Sequence, residues 1–346
     1  MSRRGERGRW IAGYAATCLA SLAVGCGDGP IGPTPTNPPT VSCPADVTLA
    51  GVTGGAQTVT FPQPTTTGGA APVNVVCAPA SGALFNVGTT AVACTATDAM
   101  ARQAQCAFAV TLTPVLLSVT RFVAFGDSLT EGENGRLRVF GPGFLDIPNA
   151  YPTKLQLLLK AEYSGQNLIV SDRGKSGRAV EDGVIDLPGV LAGERGDVVL
   201  LLDGYNNLLN GCPASDPGTT GCAPAIDVVV EGLREYIHIA KKVEFGIKYI
   251  FVSTLTPPGP FVGGQNDRRI ASQAIAQTNA KLSAMVRSEG VTLVDPYPLF
   301  LGHESEYVDQ DGLHLRPPGY QVLAETFFGA IKSTVPPAPA FGVRAP

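Results

Sequence analysis

Residues 121–129 read RFVAFGDSL, a short apolar run that ends in the small polar residues Gly-Asp-Ser. Further apolar, β-prone runs follow along the chain at residues 167–171, 198–202, 249–253 and 291–294. Apolar residues at helical spacing lie between and after these runs, at residues 150–163, 226–240, 270–287 and 320–331. Strands that alternate with helices predict an α/β fold, a parallel sheet with helices on both faces.

Polar blocks follow the runs, and in parallel sheets ligands bind beyond the carboxyl ends of the strands. Asp127-Ser128 follows the first run, residues 172–177 follow the second, and residues 203–207 follow the third. Residues 311–314, Asp-Gly-Leu-His, come after the last run. Four blocks in this order resemble the GDSL or SGNH hydrolase family over residues 118–334. The resemblance implies a flavodoxin-like SGNH fold and an esterase or lipase activity.

The residue types in the first and last blocks suit nucleophilic catalysis. A hydroxyl is a weak nucleophile until a base takes its proton, and imidazole titrates near neutral pH. We therefore expect Ser128 to be the nucleophile and His314 its general base. Asp311, three residues before His314, is expected to orient the imidazole and stabilise its charged form.

The two middle blocks are candidates for an oxyanion hole. Attack on an ester carbonyl creates a negatively charged oxygen that hydrogen-bond donors must stabilise. We expect these donors to be the backbone N–H groups of Ser128 and Gly174 and the side-chain amide of Asn206. Glycine at position 174 would let the chain approach closely. The resemblance departs from the family pattern at Asn207, where Asp is usual.

Composition argues against metal and nucleic-acid chemistry. The chain has three histidines, and none of its eight cysteines forms a Cys-x-x-Cys pair. We therefore expect no metal and no cofactor, and a metal-dependent hydrolase is the weaker alternative. The net charge is −4, and no Lys/Arg run occurs beyond the first ten residues. A nucleic-acid partner is not expected, because phosphate binding demands a clustered basic face.

Residues 43–113 differ in composition from the rest of the chain. Short alternating runs separated by Pro or Gly clusters predict a small β-sandwich. Cys43-Pro44, Cys77-Ala-Pro79, residues 94–98 and Cys106-Ala-Phe108 resemble a hyalin-repeat (HYR) domain, an immunoglobulin-like module. The resemblance implies an extracellular spacer or adhesion module without catalysis.

The N-terminus predicts an export signal, described below, which would remove Cys18 and leave Cys26 to carry lipid. Six cysteines remain, and an even number in an exported chain indicates disulfides. The four in the HYR-like segment allow three connectivities. We favour Cys43–Cys106 with Cys77–Cys94, because the outer pair would join the first and last strands. Cys212 and Cys222 are expected to close a short loop.

The first 42 residues are typical of an exported protein. Arginines near the start, the apolar stretch 10–24 and small residues before Cys26 predict a signal peptide over residues 1–25. The sequence resembles a bacterial lipoprotein signal, in which Cys26 would carry lipid; a plain secretory signal is the alternative. Residues 26–42 are expected to be a Pro/Thr/Gly linker, and residues 335–346 a Pro/Ala-rich tail.

Together these features predict an exported serine esterase of a bacterial cell envelope, either lipid-anchored or secreted. Its substrates would be small-molecule, glycan or lipid esters, and its only membrane contact would be the lipid anchor. A surface adhesion or binding protein with a non-catalytic hydrolase-like domain is the main alternative. The presence of all four catalytic residue types argues against it.

Overall fold

The protein is described by a computed structural model that covers residues 37–135, 144–215, 221–262 and 267–338. The predicted signal peptide, Cys26 and most of the predicted linker lie outside these residues, as does the end of the predicted tail. Within the described ranges no helix has the length and apolar character needed to span a bilayer.

The N-terminal part is a small β-sandwich, as the alternating runs predict. Its strands are β1 (Thr40–Ser42), β2 (Val47–Val52), β3 (Ala56–Val59), β4 (Thr65–Thr67), β5 (Asn74–Ala78), β6 (Ala83–Asn86), β7 (Gly88–Thr97) and β8 (Gln103–Pro114). One sheet has the order β2-β8-β7-β5, while β3 pairs with β6 and β1 with β4. Val59 and Phe85 of the β3–β6 pair share a buried cluster with Val92 and Phe108 of the larger sheet. Two layers therefore enclose one core.

This module begins earlier than the sequence predicts. Residues 40–42, assigned to the linker, form β1 and pair in antiparallel register with β4. The Thr40 and Thr67 hydroxyl oxygens lie 2.6 Å apart across the pair. The linker prediction is wrong for these residues because strand pairing satisfies the backbone of a polar segment without any apolar signal in its sequence.

The disulfide predictions are confirmed. Cys43 is bonded to Cys106, and Cys77 to Cys94. Strand register brings the four together, since Cys77 lies opposite Cys94 in the β5–β7 pair and Cys94 opposite Cys106 in the β7–β8 pair. The third disulfide joins Cys212 to Cys222, ten residues apart.

The C-terminal part is an α/β domain. Its strands are β9 (Arg121–Gly126), β10 (Glu133–Asn134), β11 (Phe144–Leu145), β12 (Ile169–Gly174), β13 (Val198–Leu202), β14 (Tyr249–Ser253) and β15 (Thr292–Val294). Its helices are α1 (Ser128–Glu131), α2 (Tyr151–Glu162), α3 (Val180–Glu194), α4 (Tyr205–Gly211), α5 (Cys222–Ala240), α6 (Ser272–Glu289), α7 (Tyr297–Phe300), α8 (Glu304–Tyr307) and α9 (Pro317–Thr334). A 3-10 turn covers Val243–Phe245.

Five parallel strands form the central sheet in the order β12-β9-β13-β14-β15. This is the doubly wound order of flavodoxin-like folds, as the family resemblance implies. The chain moves one way from β9 to β12 and the other way through β13, β14 and β15. Right-handed crossovers therefore place α2 on one face and α3, α5 and α6 on the other. β13, buried on both faces, is apolar throughout.

The strand order reverses beside β9, and the register aligns the strand ends there. Gly126 at the end of β9 lies between Gly174 of β12 and Leu202 of β13. Each of the first three sequence blocks therefore starts from the same edge of the sheet. This switch point is where open α/β sheets bind ligands.

The linker between the two parts is braced by the start of the predicted tail. The Ala338 N–H donates to Leu116 O at 2.7 Å, and the Ser118 N–H donates to Pro336 O at 3.2 Å. Val335 is buried. The start of the predicted Pro/Ala-rich tail is therefore held against the chain that enters the α/β domain.

Candidate active site

Ser128 is presented by a sharp turn from strand to helix. β9 ends at Gly126, and Ser128 is the first residue of α1. Asp127 caps this helix, since its Oδ1 accepts the Leu129 N–H at 3.1 Å. Its Oδ2 accepts the Tyr205 N–H at 3.3 Å, which ties the first block to the third. Asp127 therefore fixes the backbone on which the Ser128 hydroxyl stands.

Ser128, His314 and Asp311 form one hydrogen-bonded chain. His314 Nε2 lies 2.8 Å from Ser128 Oγ, although the two residues are 186 positions apart in sequence. His314 Nδ1 lies 2.5 Å from Asp311 Oδ2. The prediction that the hydroxyl and the imidazole meet is confirmed. Because a carboxylate only accepts, Nδ1 carries the proton toward Asp311, and in the neutral ring Nε2 is left to accept from Ser128.

Burial and hydrogen bonding together set the charge states of Asp311 and His314. Burial raises the pKa of Asp311, but hydrogen bonds from His314 and from the Leu313 and His314 N–H groups lower it below its ordinary value. Burial lowers the pKa of His314, and contacts with Asp311 and Glu133 outweigh it, so the net shift is upward. Asp311 is therefore the anion that supports an imidazolium at position 314.

Glu133 is a site residue that no sequence motif indicates. Its side chain is buried, and its Oε2 lies 3.2 Å from His314 Nε2. The same oxygen accepts the Ser176 hydroxyl at 3.1 Å. No pattern in the sequence points to this role, because a glutamate just beyond a short helix is usually solvent-exposed.

Gly174 does not offer a free donor. Its N–H donates to Asp172 Oδ1 at 2.9 Å, so its predicted place in the oxyanion hole is wrong. Its need for glycine is confirmed: a Cβ at this position would lie 2.1 Å from the Glu131 backbone nitrogen. Gly174 thus lets β12 approach α1, which is a packing role.

Gly177, in the same block, differs from Gly174 in its backbone conformation and in the use of its N–H group. Its φ of +81° is in the left-handed region, and no atom lies within 4 Å of the position that a Cβ would take. Ser176 before it contacts Glu133, and Arg178 after it contacts Asn206. Among the described residues none accepts a hydrogen bond from the Gly177 N–H. This block therefore offers its available donor at 177.

Asn206 lies at the start of α4 and is 8% exposed. Its Nδ2 donates to Arg178 O at 2.9 Å, which orients the amide and leaves its second N–H available. Asn207, at the position where Asp is usual, contacts the start of α3. Its Oδ1 accepts the Val180 N–H at 3.0 Å, and its Nδ2 donates to Glu181 at 2.7 Å.

Comparison with known proteins is consistent with this geometry. Residues 124–322 match the model of the GDSL-like lipase/acylhydrolase family, and residues 34–112 match that of the HYR domain. The chain belongs to the GDSL-like lipase/acylhydrolase family. This hydrolase is therefore a carboxylic ester hydrolase with an N-terminal HYR domain.

One curated relative is the spore germination lipase LipC of Bacillus licheniformis, 26% identical over 217 residues, which span 59% of this chain and 93% of the relative. Among solved structures, a lipase/acylhydrolase from Enterococcus faecalis is 20% identical with a TM-score of 0.47, covering 64% of this chain and all of its own. A carbohydrate acetylesterase, Est24, from Sinorhizobium meliloti is 16% identical with a TM-score of 0.48, covering 62% and 99%.

A buried polar layer lies beneath the candidate active site of this hydrolase. Asp203 Oδ1 accepts the Gly204 N–H at 2.8 Å, and Tyr236 donates to its Oδ2 at 2.9 Å. Arg178 stacks over the Phe125 ring at 4.1 Å. Burial raises the pKa of Asp127 to about 6 and that of Asp203 well above its ordinary value, with mutual repulsion adding to the latter. These groups hold the three blocks in register.

Metal-ligand residues cluster elsewhere in the described ranges. Cys43, Cys94 and Cys106 place their sulfur atoms within 4.8 Å of one another. All three are in disulfides and therefore lack the thiolate that a metal ion needs.

Proposed function

We propose that this hydrolase is an exported serine esterase that cleaves acyl or acetyl esters through Ser128, His314 and Asp311. The observation that carries the proposal is the 2.8 Å approach of His314 Nε2 to Ser128 Oγ, with Asp311 on the opposite ring nitrogen. Nucleophile, base and orienting carboxylate in contact are the requirement for an activated hydroxyl.

In acylation, His314 Nε2 takes the Ser128 proton as Oγ attacks the ester carbonyl carbon. The imidazolium that forms is stabilised by Asp311, which stays ionised. The tetrahedral intermediate collapses when the bond to the alcohol oxygen breaks, and His314 returns the proton to that oxygen. The products of this half-reaction are the free alcohol and an ester of Ser128 with the acyl group.

In deacylation, His314 takes a proton from water, which attacks the acyl carbonyl carbon of the Ser128 ester. Collapse of the second intermediate breaks the bond to Ser128 Oγ, and His314 reprotonates that oxygen. The carboxylic acid leaves and the free enzyme is restored. No group beyond the chain's own residues is needed for either half-reaction.

The oxyanion would be bound by the backbone N–H groups of Ser128 and Gly177 and by the Asn206 amide. Support comes from the Gly177 N–H, for which no described residue is an acceptor, and from the Arg178 contact that orients Asn206. Such donors are effective because they are fixed before charge develops on the substrate oxygen.

Export and lipid attachment at Cys26 are part of the proposal. The basic and apolar N-terminus supports them, and so do three disulfides, which persist mainly in oxidising compartments. Metabolic labelling with a fatty-acid probe tests attachment: wild type should be labelled and Cys26→Ser should not. Label retained in Cys26→Ser would contradict it.

Small-molecule, glycan or lipid esters are all proposed substrates, since loops rather than the fold set the pocket. The test is hydrolysis of p-nitrophenyl esters of increasing chain length beside acetylated glycans. Ser128→Ala must lose the activity while its thermal unfolding stays close to that of wild type. Turnover unchanged in Ser128→Ala, or abolished by a chelator in wild type, would overturn the mechanism.

The alternative of a non-catalytic adhesion protein has less support. A binding role would not require the Ser128 hydroxyl to lie on His314, nor the imidazole to lie on a buried carboxylate. The HYR domain is compatible with both functions and does not discriminate between them.

A further inference from the structure

Two oxygens from different elements meet one nitrogen in the active site. His314 Nε2 lies 2.8 Å from Ser128 Oγ and 3.2 Å from Glu133 Oε2. Glu133 belongs to β10 and is 2% exposed, so this carboxyl group has little access to water. The position of its charge is therefore set by its neighbours within the protein.

Proton positions explain what this contact requires. The Nδ1 proton of His314 points to Asp311, so the neutral ring presents only a lone pair at Nε2. A carboxylate oxygen also presents only lone pairs. Their approach is favourable when a proton lies between them, as it does in the imidazolium. Glu133 thus favours the charged ring over the neutral one.

We propose that Glu133 is a positioning residue, a second carboxylate partner that stabilises the His314 imidazolium and raises the pH above which His314 acts as a base. The inference rests on the proposed function, because it concerns the base of that reaction. It distinguishes this site from one served by Asp311 alone.

Glu133 acts on both the resting enzyme and the reaction. At acidic pH it stabilises the proton on Nε2 of the resting enzyme, so His314 is then not available as a base. During attack the imidazolium forms beside Glu133 and is stabilised by it together with Asp311. Removal of the carboxylate should therefore widen the pH range toward acid while it slows the reaction on the plateau.

The other groups that face His314 remain in place in such a variant. Among the described residues they are Asp311 on the same loop, Ser128 on α1 and the buried Asp127 that caps α1. Tyr320 on α9 contacts the backbone oxygen of Glu133. Arg178, from the second block, acts on Asp127. Burial lowers the pKa of His314, and Asp311 and Glu133 together raise it above its ordinary value.

The backbone around Glu133 is anchored independently of its side chain. Tyr320 donates its hydroxyl proton to Glu133 O at 2.8 Å, and Glu133 pairs with Leu145 of β11. Glu133→Gln keeps the shape of the side chain and removes its charge. We therefore expect this variant to fold.

The matched control is Glu131→Gln, which removes a carboxylate two residues away. Glu131 accepts the Ser176 N–H at 2.5 Å, and none of its described contacts is to His314. Whatever this variant does to the rate, the pH at which its activity falls on the acidic side should stay nearer to the wild-type value than the corresponding pH of Glu133→Gln does.

The experiment measures kcat/KM against pH for the full chain, because that profile reports the ionisation of the free enzyme. We expect the acidic limb of Glu133→Gln to move about one pH unit lower, the scale of a nearby opposite charge. The pH dependence of Ser128 labelling by a fluorophosphonate should move equally, since it needs no ester substrate. A limb that stays at the wild-type position in both measurements overturns the inference.

Two further outcomes are informative. If wild type is neither active nor labelled, the proposed function fails and the inference with it; if wild type is labelled and the limb does not move, the inference alone fails. Should Glu133→Gln unfold, Glu133→Asp gives the same test, because its shorter carboxylate is withdrawn from Nε2 and the limb must fall part-way. A purely structural role would change thermal stability and leave the limb unchanged.

Discussion

Asn206 Nδ2 donates a hydrogen bond to the backbone oxygen of Arg178 at 2.9 Å, and this contact joins the third sequence block to the second across the edge of the sheet. The bond uses one amide N–H and aims the other. A side chain held in this way can meet a developing charge without reorganising. The adjacent asparagine has a different task, which makes the two residues a natural pair for comparison.

Asn206→Ala should lower kcat by about 10²–10³, the usual cost of one oxyanion donor, with a smaller effect on KM. Steady-state kinetics on a short-chain ester gives both constants. Asn207→Ala is the matched control. It removes the acceptor for the Val180 N–H at the start of α3, so it should cost about 1 kcal/mol of unfolding free energy and leave kcat nearly unchanged. The reverse pattern would exchange their roles.

The two glycines of the second block should differ in stability when changed to alanine. Gly174→Ala places a Cβ against the backbone of Glu131, which cannot move without α1. Overpacking of this kind typically costs about 1–3 kcal/mol, and here it also displaces Ser128. Gly177→Ala meets open space and bears only the strain of a positive φ, about 1–2 kcal/mol. Denaturant unfolding should rank Gly174→Ala as the less stable; the opposite order would contradict these packing roles.

Stability should depend on pH through the carboxyl groups beneath the site. Burial raises the pKa of Asp127 from 3.8 to about 6 and shifts that of Asp203 well upward. A carboxyl with a raised folded-state pKa stabilises the fold while it is protonated, and this contribution is lost as the pH rises through that pKa. The unfolding free energy of wild type should therefore fall from weakly acidic to neutral pH.

Asp203→Asn should flatten this dependence, because an amide does not ionise and no longer repels Asp127. Its Oδ1 can still accept the Gly204 N–H. Urea unfolding at several pH values measures the slope. The exposed Asp227→Asn, which loses only an ion pair with Lys281, serves as the control and should leave the slope as in wild type. Equal slopes in wild type and Asp203→Asn would show that Asp203 does not titrate in this range.

The Cys212–Cys222 disulfide should support the helix that carries Asn206. Cys212 follows α4 and is buried, and its backbone oxygen accepts the Ala271 N–H at 2.9 Å. Replacing both cysteines by serine should lower the unfolding free energy by about 2–3 kcal/mol, the loop-closure value for about ten residues. Removing Cys77 and Cys94 in the HYR domain is the comparison, and it should leave kcat unchanged. An equal change in kcat in the two double variants would contradict a local role of the Cys212–Cys222 disulfide at the site.

The sequence was most informative where chemistry and burial coincide. Ser128 and His314 could be paired because their blocks follow strands of one parallel sheet, and β13 could be placed because it is apolar on both faces. The helix α3 could not be predicted in this way. Pro188 and three glycines within it weaken its intrinsic preference for a helix, and its support comes from Tyr236, whose hydroxyl oxygen lies 3.1 Å from Val180 O. That contact spans 56 residues.

Roles that depend on the direction of an N–H were also beyond the sequence. Gly174 and Gly177 lie in one short block, and only the structure shows that the Gly174 N–H donates to Asp172 whereas the Gly177 N–H has no acceptor among the described residues. Glu133 was missed for the same reason, since only tertiary packing places its carboxyl beside His314. Local sequence patterns report propensity and burial, whereas these contacts depend on how distant segments meet.

The most direct measurement is a double-mutant cycle on Ser128 and His314, with kcat measured for Ser128→Ala, His314→Ala and the double variant. Groups that act as one unit lose nearly everything when either is removed, so all three should fall to the same low residual rate. Near-UV circular dichroism should confirm that each variant keeps its tertiary fold. A His314→Ala variant that keeps most of the wild-type rate, or losses that simply add in the double variant, would contradict a Ser128–His314 catalytic pair.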